Sequence, residues 1–558
     1  MKKTRIYTML LFAALCTTAY AQNPHLNPTV QVTNAYEGKL KEVDKAVEKV
    51  FIPDSLYKFD LNFDYVGFEN PYKGNDEFNP YLTDLEMAQR AFDGKRLYLK
   101  AGAGYTCAPV LDFAYTLKDK GVFKLGAHAS GNGYVGNHRL VVGDKGLLLP
   151  QDGKKWFGYN ALAKAGLDGR ADWNDASMQM MLDYEGAFGS SAPSGFDARR
   201  AYNGLKAQMG FDTHYDLETG WRFSADLSYA FGNEKSVVGL EKESLYEHNA
   251  MLRLMGTYRF RSGSAIEVEA TGKMTYNFPL QKLDDYVSYD VIINPRYVYG
   301  GERLHLGVGL GVLVDGGTNI NKFKLPVGFW PTLSLQWSAI RNKMDLYADA
   351  KLDGSFYGAR EDALENNFYV LDTQYSNVRK YDVSAGMKGN LWESLDYDLG
   401  FGYNKTDNNP LFCVKSGDTQ YSTALSIIHQ NTQNMFAKAA LKGRFASFHF
   451  ELEGMYRYFF KQAEMLSMPS AITASANLGY RFRNRIGIAA GVEYRSGYKA
   501  GDYRTPFIVD LNAVVDYRIT NSLTLFLQGG NLLNRSLQYI PLYARKGVCV
   551  TAGVVLNM

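Results

Sequence analysis

The second half of the chain alternates apolar and polar side chains with a period of two. From Phe507 to Ile519 the odd positions are Phe507, Val509, Leu511, Ala513, Val515, Tyr517 and Ile519, and the even ones include Asp510, Asn512, Asp516 and Arg518. From Arg485 to Arg495, Ile486, Ile488, Ala490, Val492 and Tyr494 alternate with Arg485, Glu493, Arg495 and small residues. Phe448, Phe450, Leu452, Gly454, Tyr456 and Tyr458 alternate in the same way with His449, Glu451, Glu453, Met455 and Arg457. A period of two places each set on one face of a β-strand. The runs last roughly 10 to 14 residues, the length a tilted strand needs to cross a bilayer. Strands of a soluble sandwich average about five or six. The pattern therefore predicts membrane-crossing strands.

Charge decides which face meets lipid. An Arg or Lys turned toward lipid near mid-bilayer costs about 2–4 kcal/mol, so the charged face is expected to line the lumen. The residues placed there are Lys438, Lys442, Glu451, Glu453, Arg457, Arg485, Glu493, Arg495, Asp510, Asp516 and Arg518. Glu451 and Glu453, with Lys438, Lys442 and Arg457 on neighbouring strands, read as a charge ladder and not as an acid–base pair.

Turn signals give the spacing. Tight turns are expected at Lys118–Gly121, Asp168-Gly169, Glu218–Gly220, Arg261–Ser264, Tyr299–Gly301, Arg341–Lys343, Trp392–Ser394, Ala446-Ser447, Arg483-Asn484 and Thr520-Asn521. Between successive tight turns lie two strands and usually a longer polar loop, as at Ser130–Lys155, Gly354–Arg379, Asp407–Thr432 and Gly497–Thr505. That asymmetry is the mark of outer-membrane barrels, with short periplasmic turns and long extracellular loops. The fold expected is all-β: a transmembrane antiparallel β-barrel of about 22 strands over residues 95–558. An even count puts both chain ends of the barrel in the periplasm. The last strand alternates Val548, Val550, Ala552, Val554, Leu556 and Met558 with Gly547, Cys549, Thr551, Gly553 and Asn557, a form barrel-assembly machinery would recognise.

The chain start supplies the address. Lys2, Lys3 and Arg5, an apolar Tyr7–Leu15 and Ala19-Tyr20-Ala21 before Gln22 form a secretory signal peptide over residues 1–21, hence export to the cell outer membrane. Residues 22–94 read in three ways: a flexible periplasmic tail, a reduced plug inside the lumen, or a docking arm for a periplasmic partner. Within them Tyr36–Val50 is charged and helix-compatible up to Pro53.

Composition agrees with a barrel. The chain has 40 Tyr, 32 Phe and 54 Gly against 16 Pro, and tyrosine suits the headgroup level, where its ring is apolar and its hydroxyl wet. Mean hydropathy is only -0.27 because every second strand residue is polar. A net charge of +3 implies no nucleic-acid partner. Cys107, Cys413 and Cys549 are too few for a disulfide framework, although a Cys107–Cys413 bridge between loops is conceivable. No metalloprotease, phosphate-loop or nucleophile-elbow motif occurs. Gly307, Gly309 and Gly311 alternate with Leu306, Val308 and Leu310 and so belong to a strand, not a dinucleotide site. No catalytic, metal-binding or cofactor-binding residue is expected, and no cofactor.

The run Leu523-Thr524-Leu525-Phe526-Leu527-Gln528-Gly529-Gly530-Asn531-Leu532-Leu533-Asn534-Arg535 resembles the end of TonB-dependent receptor barrels. Phe78-Asn79-Pro80-Tyr81-Leu82 followed by Leu97–Tyr105 resembles the beginning of such barrels without a full plug. The resemblance covers roughly Lys95 to Met558 and implies about 22 strands. It also implies solute transport or ligand binding at the surface. Receptors of that family carry a far longer plug than residues 22–94, and Asn23–Glu37 holds no TonB-contacting motif, which leaves TonB doubtful as a partner. The expected partners are outer-membrane lipids and lipopolysaccharide, barrel-assembly machinery, and other periplasmic or outer-membrane proteins. The alternative function is a structural, accessory barrel subunit of an outer-membrane complex.

Overall fold

The computed structural model describes residues 96–558, apart from positions 107, 119–120, 192–197, 214–219, 239–240, 280–285, 318–326, 342, 366–371, 374–375, 393, 417–422, 461–468 and 546. The expected signal peptide and the leader 22–94 lie outside the described residues, as does Cys107.

The described residues contain 25 strands and one short helix, Ala359–Glu365. Three of the strands are two-residue ribbons, Asp372–Thr373, Lys499–Ala500 and Tyr503–Arg504. The other 22 form one wall in which each pairs antiparallel with its neighbours in sequence. The wall closes where Leu97–Tyr105 pairs with Cys549–Asn557, in register from Tyr98↔Asn557 to Tyr105↔Val550. A closed barrel leaves no unpaired edge, the condition for strands to sit in hydrocarbon.

Side-chain alternation follows the sequence. On Ile508–Arg518, Asp510, Asn512, Val514 and Asp516 are buried, while Val515 and Tyr517 point outward and are exposed. On Ile486–Arg495, Glu493 and Arg495 are buried, while Ile488 and Val492 are exposed. Exposed leucines, valines and phenylalanines recur around the outside, among them Leu205, Leu227, Leu252, Val308, Phe401 and Leu527.

Two aromatic girdles bound this apolar band. Near the tight turns, Trp221 stacks on Phe223 at 5.7 Å and meets Tyr258 at 5.0 Å. Near the other end, Phe231 stacks with Tyr246 at 6.0 Å and packs against His248 at 5.0 Å. Trp221 and Phe231 share the strand Gly220–Val238, so ten residues of rise on a tilted strand separate the girdles by about 25 Å. That is the height of an outer-membrane barrel's apolar band. The chain is an outer-membrane barrel.

Nine of the ten tight turns stand at the junctions where they were expected. Asp168-Gly169 does not. It lies inside the strand Leu147–Asp172, with Gly169 paired to Met180, and the chain reverses instead around Trp173–Asp175. Asp168 is part of a charged contact, 3.3 Å from Nδ1 of His128, and Gly169 has no positive φ. An Asp-Gly pair looked like a turn because the ion pair was invisible in one strand's pattern.

All four expected long loops carry regular structure within their described residues. Ser130–Lys155 is the top of a hairpin formed by strands of 22 and 26 residues, Phe123–Asp144 and Leu147–Asp172. It turns at Lys145-Gly146, both with positive φ, which Gly146 adopts without steric cost. Asp407–Thr432 is likewise the top of Leu395–Ser416 and Thr423–Phe445. Strands this long exceed the roughly ten residues that cross a bilayer, so both hairpins project outward. Gly354–Arg379 contains the helix, and Gly497–Thr505 holds two of the ribbons.

Candidate functional site

The projecting segments fold back over the lumen and meet. Val141, Leu148 and Trp156 come from the first long hairpin, Val414 and Ile427 from the second. Tyr357 and Val378 flank the helix, and Leu542, Tyr543 and Ala544 belong to the last outer loop. With Ala500 they make one buried apolar cluster drawn from distant parts of the wall. Backbone pairing reinforces it: Arg504 pairs with Leu147 and Asp372 with Ser426. Gln538 is fully buried and donates from Nε2 to the carbonyl of Leu148 at 3.0 Å. His138 stacks on Trp156 at 4.2 Å, with Nδ1 3.2 Å from the carbonyl oxygen of Ala544. An apolar cluster of this kind, excluded from water, is a cap with its own core.

The helix closes a second part of the mouth by ionic contacts. The hairpin Met344–Tyr357/Ser376–Asn390 belongs to the wall at its base, and its outer part leans inward against the neighbouring wall strands Tyr286–Gly300, Leu304–Gly317 and Val327–Ile340. Tyr381 packs on Trp330 at 3.9 Å, Arg379 pairs through Nε with Asp315 at 2.6 Å, and Ser288 bonds Asn377. Its tip then reaches the strands between Ala176 and Arg259. Arg360 donates from Nε to Glu185 Oε2 at 2.9 Å and from Nη2 to Oε1 at 2.9 Å. Arg200 bridges Glu234 at 2.8 Å and Asp362 at 2.7 Å. Glu247 caps the helix start, accepting from the backbone amides of Ala359 at 2.7 Å and Arg360 at 3.2 Å. Ala363, fully buried, rests on Ala187 and on the ring of Tyr202. Tyr202 fits because Gly204 and Gly232 lack side chains: a Cβ on them would lie 2.7 and 2.4 Å from its hydroxyl oxygen. Burial pushes the Glu361 carboxyl up to about 7, with Asp362 adding to the shift and the amide of Gly358 opposing it.

The residues expected to line the lumen fall into three groups. Lys438 donates to Asp398 at 2.9 Å, and Asp398 also accepts from Tyr347 at 2.8 Å. Lys442 pairs with Glu451 and lies 3.8 Å from Glu453, while Arg457 donates to the carbonyl of Ser470 at 3.4 Å. Glu493 and Arg495 are buried together at 2.5 Å. Glu493 also accepts from the hydroxyl of Tyr539 at 2.7 Å, and that hydroxyl lies 3.4 Å from Asp510. Asp516 is buried further along the same strand as Asp510. Arg485 is exposed in the turn before its strand, where its carbonyl accepts from the amide of Arg518. The list thus splits between one wall ladder, one cap anchor and the foot of the barrel, and does not converge on one site.

Sequence reasoning passed over the Glu185, Arg200, Glu234, Glu247 and Arg360 network. The available signal was Ala359-Arg360-Glu361-Asp362-Ala363-Leu364-Glu365, acidic in its first turn with alanines four apart. Below the cap a recess of about 280 Å³ is lined by Asp349, Lys351, Asp382, Ser384, Asn404 and Phe436. Among the described residues no group of three or more His, Cys, Asp or Glu could hold a metal ion. Cys413 is buried beside Leu411 and Phe459.

No protein-family model matches the chain, and no curated protein matches it in sequence. Solved structures do. The iron transporter FrpB of Neisseria meningitidis superposes with a TM-score of 0.63 at 11% identity, covering 83% of this chain and 81% of its own. The copper transporter OprC gives 0.61 at 11% identity over 83% and 80%. The siderophore receptor PirA of Acinetobacter baumannii gives 0.59 at 7% identity over 83% and 80%. Identities this low speak for the fold alone. The chain has the closed 22-strand fold of the TonB-dependent outer-membrane receptor barrels that its sequence resembles.

Proposed function

We propose that this barrel is a gated outer-membrane receptor-transporter, which binds a solute at the cell surface and admits it through the lumen when its outer loops part. The supporting observation is the cap: segments from distant parts of the wall meet over the lumen in one apolar core. A barrel of 22 strands encloses more space than its own side chains fill, and the neighbours in fold include iron and copper transporters. The lumen charges are of both signs and largely paired, which argues against strong selection between anions and cations. The leader 22–94 would act as a reduced plug below the cap.

A second reading, a closed accessory subunit of an outer-membrane complex, draws on the same cap, because an apolar core is costly to open. Conductance in planar bilayers separates the two. The full-length protein is compared with a chain lacking Gln22–Gly94 and with a double variant, Leu148→Asp and Leu542→Asp, that charges the cap core. The transporter reading expects silence from the intact chain and steady currents once cap and leader are both disrupted. Silence from every folded variant would overturn it in favour of the accessory subunit.

A further inference from the structure

Four adjacent strands, Met344–Tyr357, Ser376–Asn390, Leu395–Ser416 and Thr423–Phe445, carry successive rows of side chains on their lumen face. In one row Tyr347, Gly386, Gly400 and Lys438 lie opposite one another. The two glycines let the outer members lean together: a Cβ on Gly386 would lie 2.6 Å from the Tyr347 hydroxyl oxygen, and one on Gly400 2.7 Å from Cε of Lys438. The ammonium of Lys438 consequently stands 5.4 Å from the centre of the Tyr347 ring and donates to Asp398 at 2.9 Å. The wall thus holds one ammonium between an aromatic face and a carboxylate.

The next row toward the mouth repeats the ring and the carboxylate and omits the ammonium. It runs Asp349, Ser384, Gly402 and Phe436. Phe436 leans onto Gly402, where a Cβ would lie 2.5 Å from its Cζ, so the ring covers the glycine. Asp349 stands three strand spacings away, about 14 Å between backbones. Between them lies the recess of about 280 Å³, bounded above by Lys351, Asp382 and Asn404 of the following row. Asp382 is provided for: Lys351 is directly across the sheet, and Asn404, with its amide nitrogen turned to the carboxylate, donates to Oδ1 at 2.9 Å. Asp349 has no hydrogen bond or ion pair among the described residues. It is an exception to the pairing of the lumen charges.

We propose that this recess is a subsite for a small solute carrying a protonated amine, with the ammonium on Asp349 and Phe436 as its aromatic wall. The inference rests on the receptor reading above and names a class of solute for it. An anion would meet two carboxylates against one lysine in the recess. A neutral solute would take water from Asp349 and leave the charge uncompensated. A metal ion lacks ligands, since among the described residues no three His, Cys, Asp or Glu gather there. An ammonium satisfies the carboxylate and is attracted by a ring face within about 6 Å. Ser384 and Asn404 can bond hydroxyl or amide groups on the rest of the solute. Lys438, one row below, is the protein's own example of the same arrangement.

The test is saturation-transfer NMR on the full chain in lipid nanodiscs, with the signal of empty discs subtracted. Ethanolamine, ethylene glycol and glycolate are titrated as a cation, a neutral molecule and an anion of one size. Ethanolamine should bind at least about 10-fold more tightly than the other two, and Asp349→Asn should abolish that preference. Phe436→Leu should weaken ethanolamine about threefold. Unchanged heat-modifiable mobility shows that each variant is folded, and the comparison of probes on the unsubstituted chain needs no variant. Equal binding of the three probes would overturn the subsite, as would an ethanolamine affinity unchanged in Asp349→Asn or in Phe436→Leu. A preference for ethanolamine in a protein that stays silent in bilayers with cap and leader disrupted would keep the subsite and count against transport. Currents without that preference would keep transport and overturn the subsite.

Discussion

Arg360 and Glu185 lie 175 positions apart and meet through two parallel bonds of 2.9 Å, with both side chains almost fully buried. One partner stands on the barrel wall and the other on a hairpin that rises from a distant part of it, so the contact measures whether the mouth is shut. Truncating Arg360→Ala leaves Glu185 buried without its counter-charge, which costs about 3–5 kcal/mol. The loss falls on the docked tip, because Glu185 belongs to a strand that stays fully paired. Proteinase K added to intact outer membranes should then cut near residues 358–371, while the heat-modifiable mobility of the barrel stays unchanged. Replacing both partners, Glu185→Leu with Arg360→Met, removes two desolvated charges together and should recover most of the protection.

The apolar cap should fail separately from the wall. Leu542 is buried in the cluster to which both long hairpins contribute. Leu542→Ala removes packed methyl groups and should cost about 2–5 kcal/mol, all of it in the cap. Hydrogen exchange of Asn531–Val548 should accelerate, and the temperature at which the barrel loses its heat-modifiable form should not move. A fall in that temperature would show that cap and wall form one cooperative unit.

Lipid contact gives the sharpest single-residue contrast. Leu227 is exposed midway between Trp221 and Phe231, at the height of the bilayer centre, and Ser228 points to the other side of the same strand. Leu227→Arg should destabilise the barrel by about 2–4 kcal/mol. Ser228→Arg should be tolerated in the lumen, among charges such as Asp226 and Arg253. Denaturant unfolding in detergent-free lipid vesicles measures both, and equal losses would mean the faces have been exchanged.

The contrast also explains what one strand's pattern can and cannot reveal. Alternation at Phe507–Ile519 and Arg485–Arg495 recurs in the structure as alternating buried and exposed positions, because each residue's environment there depends on its own position alone. Strand number followed from turn spacing. The cap was not legible, since Leu148, Val414 and Leu542 meet only after three separate segments fold inward. The ion network was hidden for the same reason: Arg200, Glu185 and Arg360 are unremarkable until the hairpin brings them together. Where polarity suggested a loop, as at Ser130–Lys155, the strands continued, because cross-strand pairing outside the membrane needs no apolar face.

Tyr539 offers a separate test of the last outer loop. Its hydroxyl donates to Glu493 at 2.7 Å, while the guanidiniums of Arg495 and Arg545 lie over its ring at 4.8 and 4.5 Å. The hydroxyl and the ring hold the loop by different means, a bond to a charged acceptor and cation–π attraction, and two variants separate them. Tyr539→Phe removes only the bond and should loosen Asn531–Val548 by about 1.5–3 kcal/mol. Tyr539→Ala removes the ring as well and leaves Arg495 and Arg545 without their shared platform, so its loss should be larger by about 1 kcal/mol or more. Exchange protection of Asn531–Val548 reads both. If the two variants lose protection equally, the ring contributes nothing and the hydroxyl alone anchors the loop. If only Tyr539→Ala loses it, the loop is held by the two arginines over the ring, and raised salt should weaken the contact of the half-exposed Arg545 more than that of the buried Arg495.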